Sequence, residues 1–349
     1  MDGKTGGSTM NKASLLRNGP FVIGVIFLLC LLVSSYVYNF YDSYVQPEKM
    51  LYDKSGNVVA LAPFSPSLRF PLGSDLDGHS FVFKLIKGAK YTIGLSLIIA
   101  FCRMIFSFGF GYLLYRMPLS LRTLFSGLSN ALHYAPVTIF TYILIAPVVL
   151  TFSWSYDVTT KIIFPMLILI AISIPVLALY IQNELDALSK KEYIDSAKIM
   201  GGSHSHIFRK HLAPFLYPKL LILFVQQVGQ VLIIFAHLGL LNVFIGGTDV
   251  RVVDYDMKTG EETTQSFSMS NEWAGLIAQN FPYAQSFPWM VLAPVIAFAL
   301  SILAINSIVY GLKNRKIFRK REVKSSTSPS NMILRQDHFE FKQTRTSSK

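Results

Sequence analysis

Few side chains in this sequence have the type and spacing for chemistry inside an apolar chain, and those few are cations, amides and imidazoles. Arg103 stands near the middle of a long apolar run, Tyr91–Tyr115. On insertion scales a guanidinium at mid-bilayer costs about 2.5–3.5 kcal/mol, so protein or water must surround it. It has two uses there: attracting a carboxylate in a transport path, or tying its helix to a neighbour. Gln226, Gln230 and His237 recur at i, i+4 and i+11, within about 40° on one helical face. Polar groups on one face of an apolar helix line water or bond an adjoining helix. His204, His206 and His211 invite a metal reading. Only His204 and His211 share a helical face, however, and no Cys or carboxylate completes a ligand set, so a solvated patch is favoured and no metal is expected.

The acids are absent where a proton-coupled carrier needs them. None of the six apolar runs contains Asp or Glu, whereas such carriers load and release protons through an ionisable intramembrane group. A sodium site built from backbone carbonyls escapes this test, so an autonomous secondary transporter is weakened as an alternative but stays open. There is no G-x-x-x-x-G-K-[ST] to cradle nucleotide phosphates, no H-E-x-x-H and no G-x-S-x-G. No catalytic residue is assigned, and any energy for transport must come from a partner.

The elements that position these residues follow from composition. The chain has 349 residues, 52% hydrophobic and only 15% charged, too few charges to cover a soluble surface. A bilayer core takes about 20 apolar residues per helix. Six runs qualify: Phe21–Tyr38, Tyr91–Tyr115, Leu124–Phe152, Ile162–Gln182, Leu220–Leu240 and Trp289–Tyr310. Pro136 predicts a bend or a short surface helix in the long third run. Pro165 and Pro175 in the fourth need neighbouring helices to satisfy the freed carbonyls. The first run has a basic lead-in but no small-x-small cleavage site after it, and reads as an uncleaved anchor. Cys30 and Cys102 sit inside apolar runs and form no redox or metal motif.

The net charge of +12 is mostly a topology signal. Lys4, Lys12 and Arg17 precede the first run, and Arg116 and Arg122 separate the second from the third. Lys190, Lys191, Lys198, Arg209 and Lys210 lie between the fourth and fifth, and a basic cluster from Lys313 to Arg321 follows the sixth. Between the fifth and sixth the loop is acidic, with Asp249, Asp254, Asp256, Glu261, Glu262 and Glu272. Both termini are therefore expected in the cytoplasm, and a nucleic-acid partner is excluded. Lys54–Asn57 before Val58–Leu61, and Lys258-Thr259-Gly260 between Val250–Tyr255 and Thr263–Met269, have hairpin patterns on the outer side. The Ser-, Thr- and Lys-rich tail is expected to be disordered.

The largest cytoplasmic connection, 183–218, is more than a linker. Ile194, Ala197 and Lys198 fall at helical spacing, Gly201-Gly202 end the helix, and a second amphipathic turn runs into Pro214. Helix, glycine turn and helix make a compact knob suited to a partner's cleft. Here the sequence resembles the permease subunits of bacterial ABC importers, whose cytoplasmic loop reads E-A-A-x₃-G-x₉-I-x-L-P. Asp195, Ser196, Ala197, Gly201 and Pro214 fall in register with it. It is closer still to the C-type permease of the dipeptide/oligopeptide importers, whose loop Tyr193, Ala197, Gly201, Ser203, Ile207, Arg209, His211 and Pro214 follow. Pro71–Asp75, Gly78, Leu85-Ile86, Gly88-Ala89 and Tyr91 resemble that family's segment before the second span. Trp273 with Gly275-Leu276 resembles its S-W-G-x-M, and Asn306 with Gly311-Leu312 its C-terminal motif. Asp195 replaces the first glutamate of the loop, and Ala213 the leucine before the proline. His79-Ser80 replaces an Arg-Asp pair, so any role of that pair does not carry over.

The resemblance implies an all-α polytopic protein with six transmembrane helices, of the type I ABC importer class, with small extracellular hairpin insertions. It divides the chain into a cytoplasmic start (1–20), an anchor (21–38), an extracellular loop (39–90), a transmembrane domain (91–312) and a basic tail (313–349). The domain includes a coupling loop (183–218) and an outer insertion (242–288). The implied assembly has a second homologous permease, two cytoplasmic ATPases, an extracytoplasmic solute-binding protein and the lipid bilayer. ATP and Mg would be held by the ATPases and no cofactor by this chain. Tyr193, Asp195, Ser196, Ala197, Gly201, Ile207, Arg209, His211 and Pro214 would meet an ATPase, and Arg103, Gln226, Gln230 and His237 are expected along the path. The implied cargo is a di- or oligopeptide, with a nickel or metal-chelate importer of the same family as the alternative; a membrane-anchored sensor or assembly protein is the third class.

Overall fold

Long apolar runs fold as helices because only intra-segment hydrogen bonds satisfy the backbone in lipid. The computed structural model describes residues 18–41, 47–134, 136–151, 155–255 and 262–314. The basic residues before position 18, the Lys258 turn and the tail beyond Asn314 lie outside the described residues. Helix α1 is Gly19–Tyr41, followed by a hairpin of β1 (Met50–Tyr52) and β2 (Val58–Leu61). Helix α2, Phe81–Arg116, is 36 residues long, about 54 Å at 1.5 Å per residue. It begins ten residues before the expected span. Lys84, Lys87 and Lys90 break the apolar pattern there, but Phe81, Leu85 and Ala89 are buried on its inner face.

The third apolar run divides at Pro136, as expected from its missing N–H. It forms α3 (Leu119–Tyr134), then α4 (Val137–Ala146) running into a π-turn at Pro147–Thr151. Helix α5, Val158–Ser189, carries Pro165 and Pro175 without a break and is capped by Asp157, whose side chain accepts from Thr159 N at 3.1 Å. The connection to the next span holds α6 (Glu192–Ile199) and α7 (His204–Ile207). A π-turn at Phe208–Leu212 then leads into α8 (Ala213–Leu240). Strands β3 (Thr248–Tyr255) and β4 (Glu262–Ser268) pair antiparallel, α9 spans Trp273–Asn280, and α10 spans Trp289–Lys313. Five helices are long and apolar enough to cross a membrane, with Val137–Thr151 as a shorter apolar sixth.

Helix α2 is the hub, packing against α5, α1 and α8. Ile93, Ile99, Leu169, Val231, Phe235 and Leu238 are fully or nearly fully enclosed in one apolar core. The end of the bundle bearing both hairpins is closed by tryptophans. Trp273 Nε1 donates to Leu85 O at 2.9 Å, its backbone N donates to Thr92 Oγ1 at 3.0 Å, and Trp289 Nε1 donates to Ser74 O at 3.1 Å. A side chain at Gly88 would run into the Asn271 carbonyl, 2.0 Å from where its Cβ would sit, so only glycine allows this approach. The motif residues before α2 and around Trp273, far apart in sequence, thus form one joint.

Glu272 lies inside that joint. It is completely buried, neither carboxyl oxygen has a hydrogen-bond partner of good geometry, and Ser268 Oγ and Ser270 Oγ are buried and unpartnered nearby. Desolvation pushes its pKa up to about 8, partly offset by the N–H groups of Ile245 and Gly246. The folded chain therefore keeps a proton that the unfolded chain releases near its ordinary value of 4.5. Stability should fall as pH rises through that window and level off above it. Thermal melts of the detergent-solubilised protein from pH 5 to 9 should show this decline, and Glu272→Gln should flatten it; an unchanged slope in the variant would remove Glu272 as its source.

Candidate coupling surface and polar helix face

The connection between α5 and α8 folds as the expected knob. Its helix α6 ends in a glycine cap: Gly201 adopts φ +84°, Gly201 N donates to Lys198 O at 2.9 Å, and Gly202 N donates to Ala197 O at 3.0 Å. Ser203 then caps α7 by accepting from His206 N at 3.3 Å. The inner faces of both helices are anchored: Ile194, Ala197, Ile207 and Leu212 join Ile181, Leu185 and Leu188 of α5 and Leu216 of α8 in a second apolar cluster. Behind it, Arg122 Nη1 of α3 holds both oxygens of Asp186 of α5 at 3.0 and 2.9 Å.

The site residues divide between stem and surface. Ala197 and Ile207 are buried and build the stem, while Asp195, Ser196, Gly201, Arg209 and Pro214 are exposed. Asp195 pairs with Lys198 at 2.8 Å, and Ser196 Oγ donates to Glu192 O at 3.1 Å. Tyr193 is exposed and its ring lies 6.3 Å from that of His211 and 5.8 Å from that of Phe215. Two residues not foreseen dominate the tip. Ile199 and Met200, immediately before Gly201, are 87% and 81% exposed. The signal was present in the sequence: two large apolar residues between a short amphipathic helix and its glycine stop have no helical face to return to. A correction concerns the histidines. His206 does not point away from His211; the π-turn after Ile207 shifts the helical phase, and the two rings lie 6.1 Å apart.

Along α8 the structure sorts polar side chains by face. Gln226, Gln230 and His237 are exposed, together with Ile233 and Leu240, as one continuous stripe. His237 Nδ1 lies 3.3 Å from Thr138 Oγ1 of α4. Gln227, one residue from Gln226 and so about 100° round the helix, is buried. Its Oε1 accepts from Arg103 Nη1 at 3.3 Å, and Arg103 Nε donates to Leu169 O of α5 at 3.0 Å. Arg103 is 0% exposed and its Nη2 has no partner. The structure therefore sets it apart from the stripe, as a tie among α2, α5 and α8. Among the described residues one cluster has metal-ligand spacing, Asp75, Asp77 and His79. Asp75 there already accepts from the N–H groups of Asp77 and His79 and pairs with Lys84.

The segment that carries these features, a capped knob at one end of the bundle and a polar face on the helix rising from it, lies within a match to a described family. The family described as binding-protein-dependent transport system inner membrane component matches residues 107–318, more than half of the chain, including the knob and all of α8. The chain belongs to that family. Proteins provisionally named peptide permease in Brucella abortus, Brucella melitensis and Brucella suis are each 21% identical to it over 313 residues, covering 89% of this chain and 90% of theirs. It is thus a permease subunit of a binding-protein-dependent ABC transporter and a multi-pass membrane protein, in a system whose ATPase and solute-binding functions belong to other components.

Two outcomes follow. A Cβ at Gly201 meets nothing within 4 Å, so substitution acts through the left-handed backbone rather than through a clash. Gly201→Asn should retain most transport activity while Gly201→Val loses it, with similar amounts of each in the membrane. Equal activity of the two would refute the conformational role. For the tie, Arg103→Ala and Gln227→Ala should each lower the melting temperature, and the double mutant by less than the sum. A coupling of about 0.6–1.7 kcal/mol is expected, and strict additivity would show no interaction.

Proposed function

We propose that this chain is one of two permease subunits of a peptide importer, with both termini in the cytoplasm. The observation that carries the reading is the knob: a glycine-turned helix pair with its inner face locked to α5 and α8 and an apolar tip, Ile199-Met200, exposed beyond it. An exposed apolar pair on an ordered tip, with charged and polar neighbours at Asp195, Ser196 and Arg209, fits a hydrophobic cleft with a polar rim. The partner is an ATPase subunit, one of two, which binds ATP and Mg; this chain binds neither. The basic residues flanking the knob support a cytoplasmic side for it, and the acidic loop beyond α8 supports an outer side for that loop.

Closure of the ATPase pair then moves the knobs of both permeases. Because α7, the π-turn and α8 run on without interruption from His204 to Leu240, displacement of the knob moves the polar face of α8 with it. Gln226, Gln230 and His237 face the companion permease across the path, where their amides and imidazole can replace water around a peptide backbone. A solute-binding protein delivers peptide on the outer side, and hydrolysis returns the pair to the inward-facing state. The two states are biased by differential contacts of the ATPases with the knob. Peptide cargo rests on the names of the relatives and on the two amides of the stripe, Gln226 and Gln230.

Co-purification with the ATPases under mild detergent tests the central contact. Ile199→Asp with Met200→Asp should reduce ATPase recovery about tenfold or more, as expected for loss of a buried apolar anchor. Uptake should vanish while insertion and thermal stability stay as in the wild type. Full ATPase recovery with the double aspartate variant would refute the assignment.

A further inference from the structure

The insertion after α8 contains a cavity that the transport reading leaves unassigned. It has a volume of about 860 Å³ and lies between the β3–β4 hairpin, the end of α8 at Leu240, Tyr142 of α4 and Phe281 after α9. Its size falls within the range of about 300–1,000 Å³ typical of ligand sites. Among the described residues none that lines it is charged; hydroxyl, amide and apolar groups share the surface. Four consecutive residues of β4, Thr263, Thr264, Gln265 and Ser266, border it. One face of a strand offers only alternate residues, so four in a row mean that the cavity reaches the edge of β4 as well as the face of the hairpin where Val250 of β3, the partner of Ser266, also lines it.

Hydrogen bonds at the end of β4 show which backbone groups that edge presents. Met269 N donates to Gly247 O at 3.1 Å, on the β3 side. Ser268 N donates to Oε1 of Gln279 at 3.4 Å, on the opposite side. Backbone groups alternate along a strand, and the irregularity in the pairing falls between Val252 and Asp254 of β3, leaving β4 regular from Thr264 to Ser268. Thr264 and Ser266 therefore turn both N–H and C=O away from β3. Gln279 covers this edge at Ser268, and its backbone carbonyl also accepts from Gln265 Nε2 at 3.2 Å; Ser266 is only 9% exposed, while Thr264 stands exposed beside the cavity.

We propose that the outer edge of β4 is a peptide-binding site, where Thr264 and Ser266 take an extended, uncharged stretch of the transported peptide as a third strand. Main-chain pairing gives affinity without dependence on side-chain identity, which suits a carrier of varied peptides. The absence of charged lining residues selects the interior of a peptide over its charged ends, since burying an unpaired charge is unfavourable. The site adjoins Leu240, three residues beyond His237, so it hands peptide directly to the polar face of α8. This inference rests on the peptide reading of the transporter.

The test uses the assembled transporter in nanodiscs without its binding protein, and a neutral dye-labelled N-acetyl-tetra-alanine amide read by anisotropy. Thr264→Pro removes one outward N–H and leaves the β3 pairing intact, because proline is tolerated on an edge. It should weaken binding about tenfold, while Thr264→Ala, which keeps the N–H, should stay within about twofold. Independently of any variant, N-methylating alternate residues of the peptide should weaken binding to the wild type by a similar factor. Wild-type affinity of Thr264→Pro, or of the methylated peptide for the wild type, overturns the proposal. So does a Thr264→Pro transporter that loses only binding-protein docking, which would assign the edge to a loop of that partner. A wild-type transporter that imports no peptide at all would instead overturn the underlying function.

Discussion

A guanidinium sealed among apolar helices, with no carboxylate in any of the six apolar runs to neutralise it, constrains everything around it. Arg103 must find neutral acceptors, and it finds them on two different helices, the Leu169 carbonyl of α5 and the Gln227 amide of α8. In a bilayer, packing between apolar helices gains little from the hydrophobic effect, because lipid tails are as apolar as leucine. A charge-assisted hydrogen bond to each neighbour fixes the depth at which the helices lie against one another more sharply than apolar contact can. With α2 also packed against α1, the hub helix sets a common frame, and both ends of the bundle are built out from it. At one end α2 supplies Leu85 O and Thr92 Oγ1 to Trp273; at the other, Phe108 and Tyr112 pack against the cluster that carries the knob.

The division of labour along α8 follows from that frame. Gln226 and Gln227 are chemically identical neighbours, yet one is committed to Arg103 and the other is exposed on the stripe with Gln230 and His237. Rotating α8 by one residue, so that Gln226 took the place of Gln227, would carry Gln227 to the buried position of Val228 and would bury Gln230 and His237 where Val231 and Leu238 now lie. The buried tie therefore fixes which face of α8 is left exposed. Fixing the rotation of a helix by one internal polar contact resembles the use of single buried polar residues to set register in coiled coils.

Much of this was legible in the sequence, because apolar run length, proline position and glycine stops act locally. The spans, the division at Pro136, the Gly201 cap and the exposed spacing of Gln226, Gln230 and His237 all rest on periods of a few residues. What was not legible depends on contacts between distant segments. The early start of α2 was hidden by Lys84, Lys87 and Lys90, whose charges sit on the outer side of a turn that buries Phe81, Leu85 and Ala89 against the Trp273 joint. Whether Arg103 faces cargo or protein turns on where Leu169 and Gln227 lie. The phase shift that brings His206 beside His211 comes from a π-turn, for which the sequence carries no reliable mark. Glu272 reads as one more acid in an acidic loop, yet it lies wholly inside the joint between Gly246 and the start of α9.

The positions of the knob and the cavity make α8 the connecting element between them. Its first residues follow the π-turn of the knob directly, and its last turn, at Leu240, forms part of the cavity wall. A helix of 28 residues spans about 42 Å, more than the hydrocarbon core of a bilayer. Pro218, near its start, removes one backbone hydrogen bond close to the knob, so bending is easiest there. Beyond that point α8 is a regular helix held to α2 through Gln227. A push on Ile199 and Met200 thus has two outlets, flexure at Pro218 or rotation of the upper helix about the Arg103 contact. Only rotation moves the polar stripe. The stiffness of the Arg103–Gln227 tie therefore sets how much of a displacement at the knob reaches the polar stripe.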